Sequence, residues 1–221
     1  MIWDWAFLWE ILPELAGVVH ITVLATLYGF AIAAVLGLLL ALARRSRSRA
    51  LSLPVAGFIE YVRSTPVLVQ IFLLYFGVLP ALGMNPTPFL AGVLAIGVHY
   101  STYTSEVYRA GLDNVPRGQW EAATALNFSL YRKLRSVVLP QAIPPVVPAL
   151  GNYLVGMFKE TPLLAAIGTL ELLLTAKNIG SYTFRYIEPM TVVGVFFLVM
   201  SLSAAVLIRR VERYLNKGAT R

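Results

Sequence analysis

The sequence contains no cysteine, which excludes disulfide cross-links and thiolate metal sites. Histidine is nearly absent too. His20 and His99 both sit among apolar residues. Neither has a second ligand at helical spacing, so packing or pore lining is expected and no metal site. Charge is the third scarcity. Only 13% of the 221 residues are Asp, Glu, Lys or Arg, about half of what a soluble domain carries. No nucleophile–base constellation stands out, which argues against an enzyme. The phosphate-cradling pattern G-x-x-x-x-G-K-[ST] is absent as well, so this chain has no nucleotide-hydrolysing loop of that type.

What the chain has instead is apolar length. Hydrophobic residues make up 58% of it and the mean hydropathy is +0.72, the profile of an integral membrane protein. A bilayer core needs about 20 mostly apolar residues per helix. Five segments qualify, at about 18–42, 55–79, 88–110, 146–175 and 190–208. The expected fold is therefore an all-α membrane protein with five transmembrane helices. Residues 1–17, with Trp3, Trp5 and Trp9, read as an N-terminal interfacial segment. They lack a basic n-region and a small-residue cleavage site, so they are expected to be retained. Residues 18–221 read as a single transmembrane domain.

The net charge of +7 is not spread as a nucleic-acid-binding surface would require. Basic residues cluster beside apolar spans, in "RRSRSR" at 44–49, "YRKLR" at 131–135 and "RRVERYLNK" at 209–217. Placing 43–53, 109–145 and 209–221 on one side collects 14 of the 18 Lys and Arg there. That side is predicted to be cytoplasmic. Five spans then leave the N-terminus outside and the C-terminus inside.

One motif occurs twice. "RSTPVLVQ" begins at Arg63 and "KETPLLAA" at Lys159, both reading basic–x–Thr–Pro–apolar–Leu inside a predicted span. Proline removes a helical donor and clashes with the preceding turn, so a kink or break is expected at Thr65–Pro66 and at Thr161–Pro162. Freed backbone groups at membrane depth survive only against protein or a wet cavity. Paired, proline-interrupted spans therefore point to a translocation pathway. A structural reading competes: Thr-Pro can simply open a helix, Arg63 and Lys159 can snorkel, and Lys159 can pair with Glu160 or Glu106.

The longest hydrophilic stretch is 111–145. "PRGQWEAATAL" should be helical, Asn127 should stop it, and Ser129 should cap a second helix, "LYRKLRSVVL". Pro140, Pro144, Pro145 and Pro148 should end this region before the next span. This helix–turn–helix would present Phe128, Tyr131, Leu134 and Val138, rimmed by basic residues, to a groove on a soluble partner. An amphipathic helix lying on the membrane is the alternative.

The segment "EAATALNFSLYRKLRSVVLP" resembles the EAA loop of ATP-binding-cassette importer permeases. Glu121, Ala122, Ala123, Leu139 and Pro140 match that pattern, with Asn127 where glycine is usual. "RSTPVLVQ", "EVYRAGLDNVPRGQWEAA" and "VLPQAIPPVVPALGNYLVGMFKETPLLAAIG" extend the resemblance to the polar-amino-acid branch, and within it to ectoine/hydroxyectoine permease subunits. The resemblance implies a bacterial inner-membrane permease with a cytoplasmic EAA coupling loop. Its partners would be an ATPase dimer carrying ATP and Mg, a second permease chain of the same or a related kind, and an extracytoplasmic solute-binding protein. No cofactor would be bound by this chain. Glu121, Ala122, Ala123, Asn127, Phe128, Tyr131 and Arg132 would couple to the ATPase. Substrate-pathway candidates are Tyr103, Glu106, Lys159, Glu160 and Thr161; helix-break or gating candidates are Arg63, Thr65, Pro66 and Pro162. Glu106 has three possible roles: counter-ion to Lys159, contact for a solute's amino group, or cap at the cytoplasmic end. The rival readings are an ion-coupled secondary transporter of small polar solutes, relaying through Lys159 and Glu160, and a membrane scaffold.

Overall fold

The computed structural model describes residues 3–219. Of the segments predicted above, residues 1, 2, 220 and 221 lie outside it. The described residues are helical throughout, with no strand among them. Eight helical elements follow one another: α1 (Trp5–Arg44), α2 (Arg49–Arg63), α3 (Val67–Ala81), α4 (Pro88–Asp113), α5 (Arg117–Ala125), α6 (Leu130–Ile167), α7 (Leu172–Thr183) and α8 (Ile187–Ala219).

α1 starts where Asp4 turns its carboxylate onto the amides of Ala6 and Phe7, at 2.9 and 3.2 Å, an N-cap that satisfies donors the first turn leaves free. From there it runs unbroken for 40 residues, about 60 Å at 1.5 Å per residue. The predicted interfacial segment is thus continuous with the first predicted span. Ala25, Gly29, Ala33, Gly37 and Ala41 all lie on one buried stripe of α1. A small residue at every fourth position lets another helix backbone approach closely, which is how helices pack where lipid supplies no hydrophobic drive. The partner is α4, which packs along α1. A Cβ on Gly37 would come 2.8 Å from the Ser101 carbonyl oxygen, and Thr104 Oγ1 donates across the same contact to the Ala33 carbonyl at 2.7 Å. α4 itself opens with Thr87 as cap and Pro88 at its first position, where a missing amide hydrogen costs nothing.

Both motif prolines interrupt helices. Pro66 sits in extended backbone, and α2 and α3 are bent 109° to one another across it. At the second motif α6 tightens into a 3-10 stretch over Thr161–Ile167. It ends at Gly168, whose φ of 87° is left-handed. Glu171 then caps α7 through the amides of Leu173 and Leu174, both at 2.9 Å. The predicted fourth span, 146–175, is therefore two helices bent by 50°.

The prolines at 140–148 do not end a helix, contrary to the sequence expectation. A π turn at Leu134–Val138 widens the helix just before Pro140, and α6 continues through Pro144, Pro145 and Pro148. The wider turn gives the first ring room, and Gln141 adds a side-chain hydrogen bond to the Val137 carbonyl at 2.7 Å.

α1 and α8 are each long and apolar enough to cross a bilayer. Counting each bent pair as one crossing raises that to four. α4, at 26 residues, has the length but carries the polar run from His99 to Glu106. Large apolar side chains such as Leu39, Leu42, Val199 and Leu202 point outward, the surface expected where the surrounding solvent is hydrocarbon.

The bundle ends are tied by ions. At one end Arg185 reaches Asp4 at 3.0 Å and Glu188 at 2.6 Å and lies 4.5 Å over the Phe7 ring, while the Asp4 amide donates to Glu188 at 3.1 Å. The Arg185 guanidinium holds the Asp4 carboxyl below the usual carboxylate range. At the other end Arg45 pairs with Asp113, which also takes Arg109 at 3.3 Å.

Candidate functional site: a tyrosine box between two helix breaks

The two Thr-Pro motifs share a local device. Thr65 Oγ1 donates to the Val62 carbonyl at 3.3 Å, and Thr161 Oγ1 to the Phe158 carbonyl at 2.8 Å. In both, a hydroxyl covers the carbonyl three residues back, a group left short of donors where the helix stops. The broken segments also meet, because α3 packs against the 3-10 stretch after Pro162. Met157, Leu164 and Ile71 are fully buried in the core between them, with Val67 and Leu163 at its edge.

Beside that junction lies a box of aromatic rings. Tyr103 is 5.7 Å from Tyr153, 6.1 Å from Tyr100 and 5.2 Å from His99, centre to centre. The Arg63 guanidinium lies 5.2 Å over the Tyr103 ring, within cation–π range. Gly156 lies beside the Tyr100 hydroxyl, where a Cβ would come within 3.1 Å of it. Glu160 is half-buried beside the Tyr100 side chain, and its Oε2 is buried without a hydrogen-bond partner among the described residues. An orphaned carboxylate oxygen costs free energy, and a cationic ligand group is one way to satisfy it.

The predicted pathway residues divide. Tyr103, Arg63 and Thr65 are brought to one site, with Glu160 and Pro162 on the neighbouring broken helix. Glu106 is not the partner of Lys159. It accepts from Arg109, its neighbour at i+3, at 2.5 Å, so the counter-ion role on Lys159 is corrected. Lys159 is exposed and forms no ion pair among the described residues. Thr161 is fully buried and spends its hydroxyl on Phe158, so it supports the break from behind. Pro66 is exposed at the turn. Sequence reading missed Gln70, Tyr100 and Tyr153, and placed His99 only as packing or pore lining. The polar run "HYSTYTS" was a signal for two of these; nothing local marked Tyr153.

Within the 111–145 segment, the turn at Asn127 and the cap at Ser129 fall where the sequence places them, but the second helix runs on instead of ending at the prolines. α5 covers the EAA residues, Asn127 turns with φ 51°, and Ser129 caps the next helix by accepting from Arg132 N at 3.3 Å. Ala123 is buried, while Glu121 and Ala122 are exposed. Leu134 and Val138 are not presented outward: they pack with Val115, Trp120 and Ala142. The outward apolar set is Leu126, Leu130 and Tyr131, each 68% exposed. Phe128 is half-covered by Arg132, whose guanidinium lies 4.5 Å over its ring.

Two proline-broken helices converging on a polar box, with an exposed helical elbow at the basic end of the bundle, define a membrane transport subunit. Residues 33–217 match the family described as binding-protein-dependent transport system inner membrane component, and the chain belongs to it. It is 44% identical over 212 residues to a probable amino-acid ABC transporter permease protein, y4tG, of Sinorhizobium fredii, covering 96% of this chain and 91% of that one. It is 33% identical to the L-cystine transport system permease protein TcyB of Bacillus subtilis, covering 93% and 89%. A crystal structure described as an amino acid ABC transporter with histidines superposes with a TM-score of 0.89 at 36% identity, covering 97% of this chain and all of that one. Membership in this family leaves the ion-coupled transporter and the scaffold without support.

Proposed function

We propose that this chain is the membrane-spanning subunit of an ATP-driven bacterial importer that takes in polar amino acids or a related zwitterionic solute such as ectoine. The observation that carries this reading is the tyrosine box at the junction of the two Thr-Pro breaks, with Arg63 and the unpartnered Glu160 oxygen beside it. A zwitterion carries both charges on a small frame, and the site offers both signs beside aromatic faces. The names of the relatives, for amino acids and cystine, support the solute class; ectoine is the narrower proposal.

The basic end of the bundle is assigned to the cytoplasm of a bacterial inner membrane. The five crossings are then α1, the α2–α3 pair, α4, the α6–α7 pair and α8. The elbow around Asn127 is the EAA coupling element. Glu121, exposed and without a hydrogen bond among the described residues, makes the charged contact to a partner ATPase. Tyr131 and the Arg132–Phe128 stack fill that partner's groove. ATP and Mg belong to the ATPase dimer, a second permease chain completes the pathway, and a solute-binding protein delivers from outside. When the ATPases close, the elbow moves and α4 and α6, joined through it, carry the motion to the box.

The test is uptake into proteoliposomes holding the purified importer, with cystine, glutamine, histidine and ectoine each offered. ATP-dependent uptake of at least one is expected, and Glu121→Ala should cut uptake about tenfold or more while the assembly still binds ATP. A charged contact of this kind is worth about 1.5–3 kcal/mol. Uptake driven by an ion gradient with no ATPase present would overturn the reading.

A further inference from the structure

The 109° break between α2 and α3 is pinned by Gln70. Its Nε2 donates to the Val62 carbonyl at 2.7 Å, to the Thr65 carbonyl at 3.0 Å and to Thr65 Oγ1 at 2.7 Å. Carbonyl oxygens only accept, so the amide nitrogen is the group that must face them, and the amide's orientation follows from its partners. The other end, Oε1, lies 3.0 Å from His99 Nδ1 on α4. An amide oxygen has no proton to give. Nδ1 therefore carries the hydrogen, and in the neutral ring Nε2 is left as an acceptor.

The His99 ring packs against Tyr100 and Tyr103, at 5.6 and 5.2 Å. The box thus has a face of phenol rings, a guanidinium above one of them, and an imidazole whose tautomer is dictated from outside the box. We propose that Gln70 and His99 work as a pair, in which Gln70 both locks the helix break and fixes the tautomer, and His99 Nε2 accepts a hydrogen bond from the solute's ammonium group. This rests on the amino-acid pathway proposed above. A neutral acceptor suits a transport site because it orients an ammonium without the grip of a second carboxylate, and a transported solute must also leave. It also links geometry to affinity: if the α2–α3 angle changes during the cycle, Gln70 moves and the tautomer of His99 is released with it.

The tautomer can be read directly, since the chain has two histidines. The importer complex is prepared with 15N-labelled histidine in a His20→Asn background, so that one imidazole remains. The Nδ1–H form is expected in the wild-type complex. It should be lost in Gln70→Leu, which removes the acceptor. In uptake assays His99→Asn retains a donor for Gln70 but has no atom at Nε2. Its KM for the transported amino acid should rise about tenfold or more, the loss of a charge-assisted hydrogen bond. An Nε2–H tautomer in the wild type, or an unchanged KM in His99→Asn, overturns the proposal. The two readings fail separately, because the nuclear resonance measurement needs no transport. A wild-type complex with the expected tautomer but no ATP-driven amino-acid uptake would sink the function and, with it, the solute contact at Nε2.

Discussion

Replacing Gly37 by alanine adds one methyl group where α1 and α4 are closest. The new Cβ would lie 2.8 Å from the Ser101 carbonyl oxygen and would overlap Thr104 Oγ1. An ordinary contact there needs about 3.4 Å, so the helices must part by a few tenths of an ångström or more. The carbonyl belongs to a helix backbone and cannot swing aside. The overpacking should cost about 1–3 kcal/mol, and parting the helices also stretches the 2.7 Å bond from Thr104 to the Ala33 carbonyl. Against this, alanine gains up to about 1 kcal/mol over glycine in a helix interior. Gly17 isolates that gain, because a Cβ there meets nothing within 4 Å. Thermal denaturation of the purified chain in one detergent should therefore order the proteins as Gly17→Ala at or above wild type and Gly37→Ala clearly below it. Adding Thr104→Ala to Gly37→Ala removes the overlapping hydroxyl but leaves the carbonyl, so part of the loss should return. If Gly37→Ala melts with the wild type, the close α1–α4 packing described here is wrong.

Asn127 offers a second test. Its φ of 51° is left-handed, so Asn127→Gly should leave folding and ATPase recovery near wild type, whereas Asn127→Val should cost about 1–2 kcal/mol and weaken recovery of the partner ATPase in a detergent pull-down. The pH dependence of the Asp4–Arg185–Glu188 cluster has a definite sign. The Asp4 carboxyl is lowered in the folded chain, so its contribution is complete above its ordinary value of 3.8 and is lost as pH falls through the lower folded-state value. Tryptophan emission from Trp3 and Trp5, close to this cluster, should change in that acid range and not between pH 6 and 8; Asp4→Asn should reduce the acid transition.

Sequence patterns reached those features whose causes are local. Asn127 tolerates a left-handed turn, Ser129 caps, and each Thr-Pro pair ends an α-helical run, so all three were legible. The prolines at 140–148 misled because the device that accommodates them, the π turn at Leu134–Val138, has no proline or glycine to mark it. Of the three roles considered for Glu106, the pairing with Lys159 spanned 53 positions while Arg109 stood at i+3, the spacing at which helical side chains meet. The site itself was half legible. Tyr103 and Arg63 could be named from their motifs, but the bridge from Gln70 to His99 crosses 29 residues and two helices. The Ala25–Gly29–Ala33–Gly37–Ala41 stripe was in plain view, yet its meaning depended on knowing that α4 brings Ser101 and Thr104 to it.

α1 is held at both ends, through Asp4 to Arg185 and through Arg45 to Asp113. A stiff rod about 60 Å long that is pinned at two points cannot tilt unless one pin yields or both anchors travel with it. A swing of α4, which owns the Asp113 anchor, would thus be felt at the segment before α8, which owns the other. In the importer proposed above, the tie that yields first would set which end of the rod acts as the fulcrum, and so which face of the membrane takes the larger stroke.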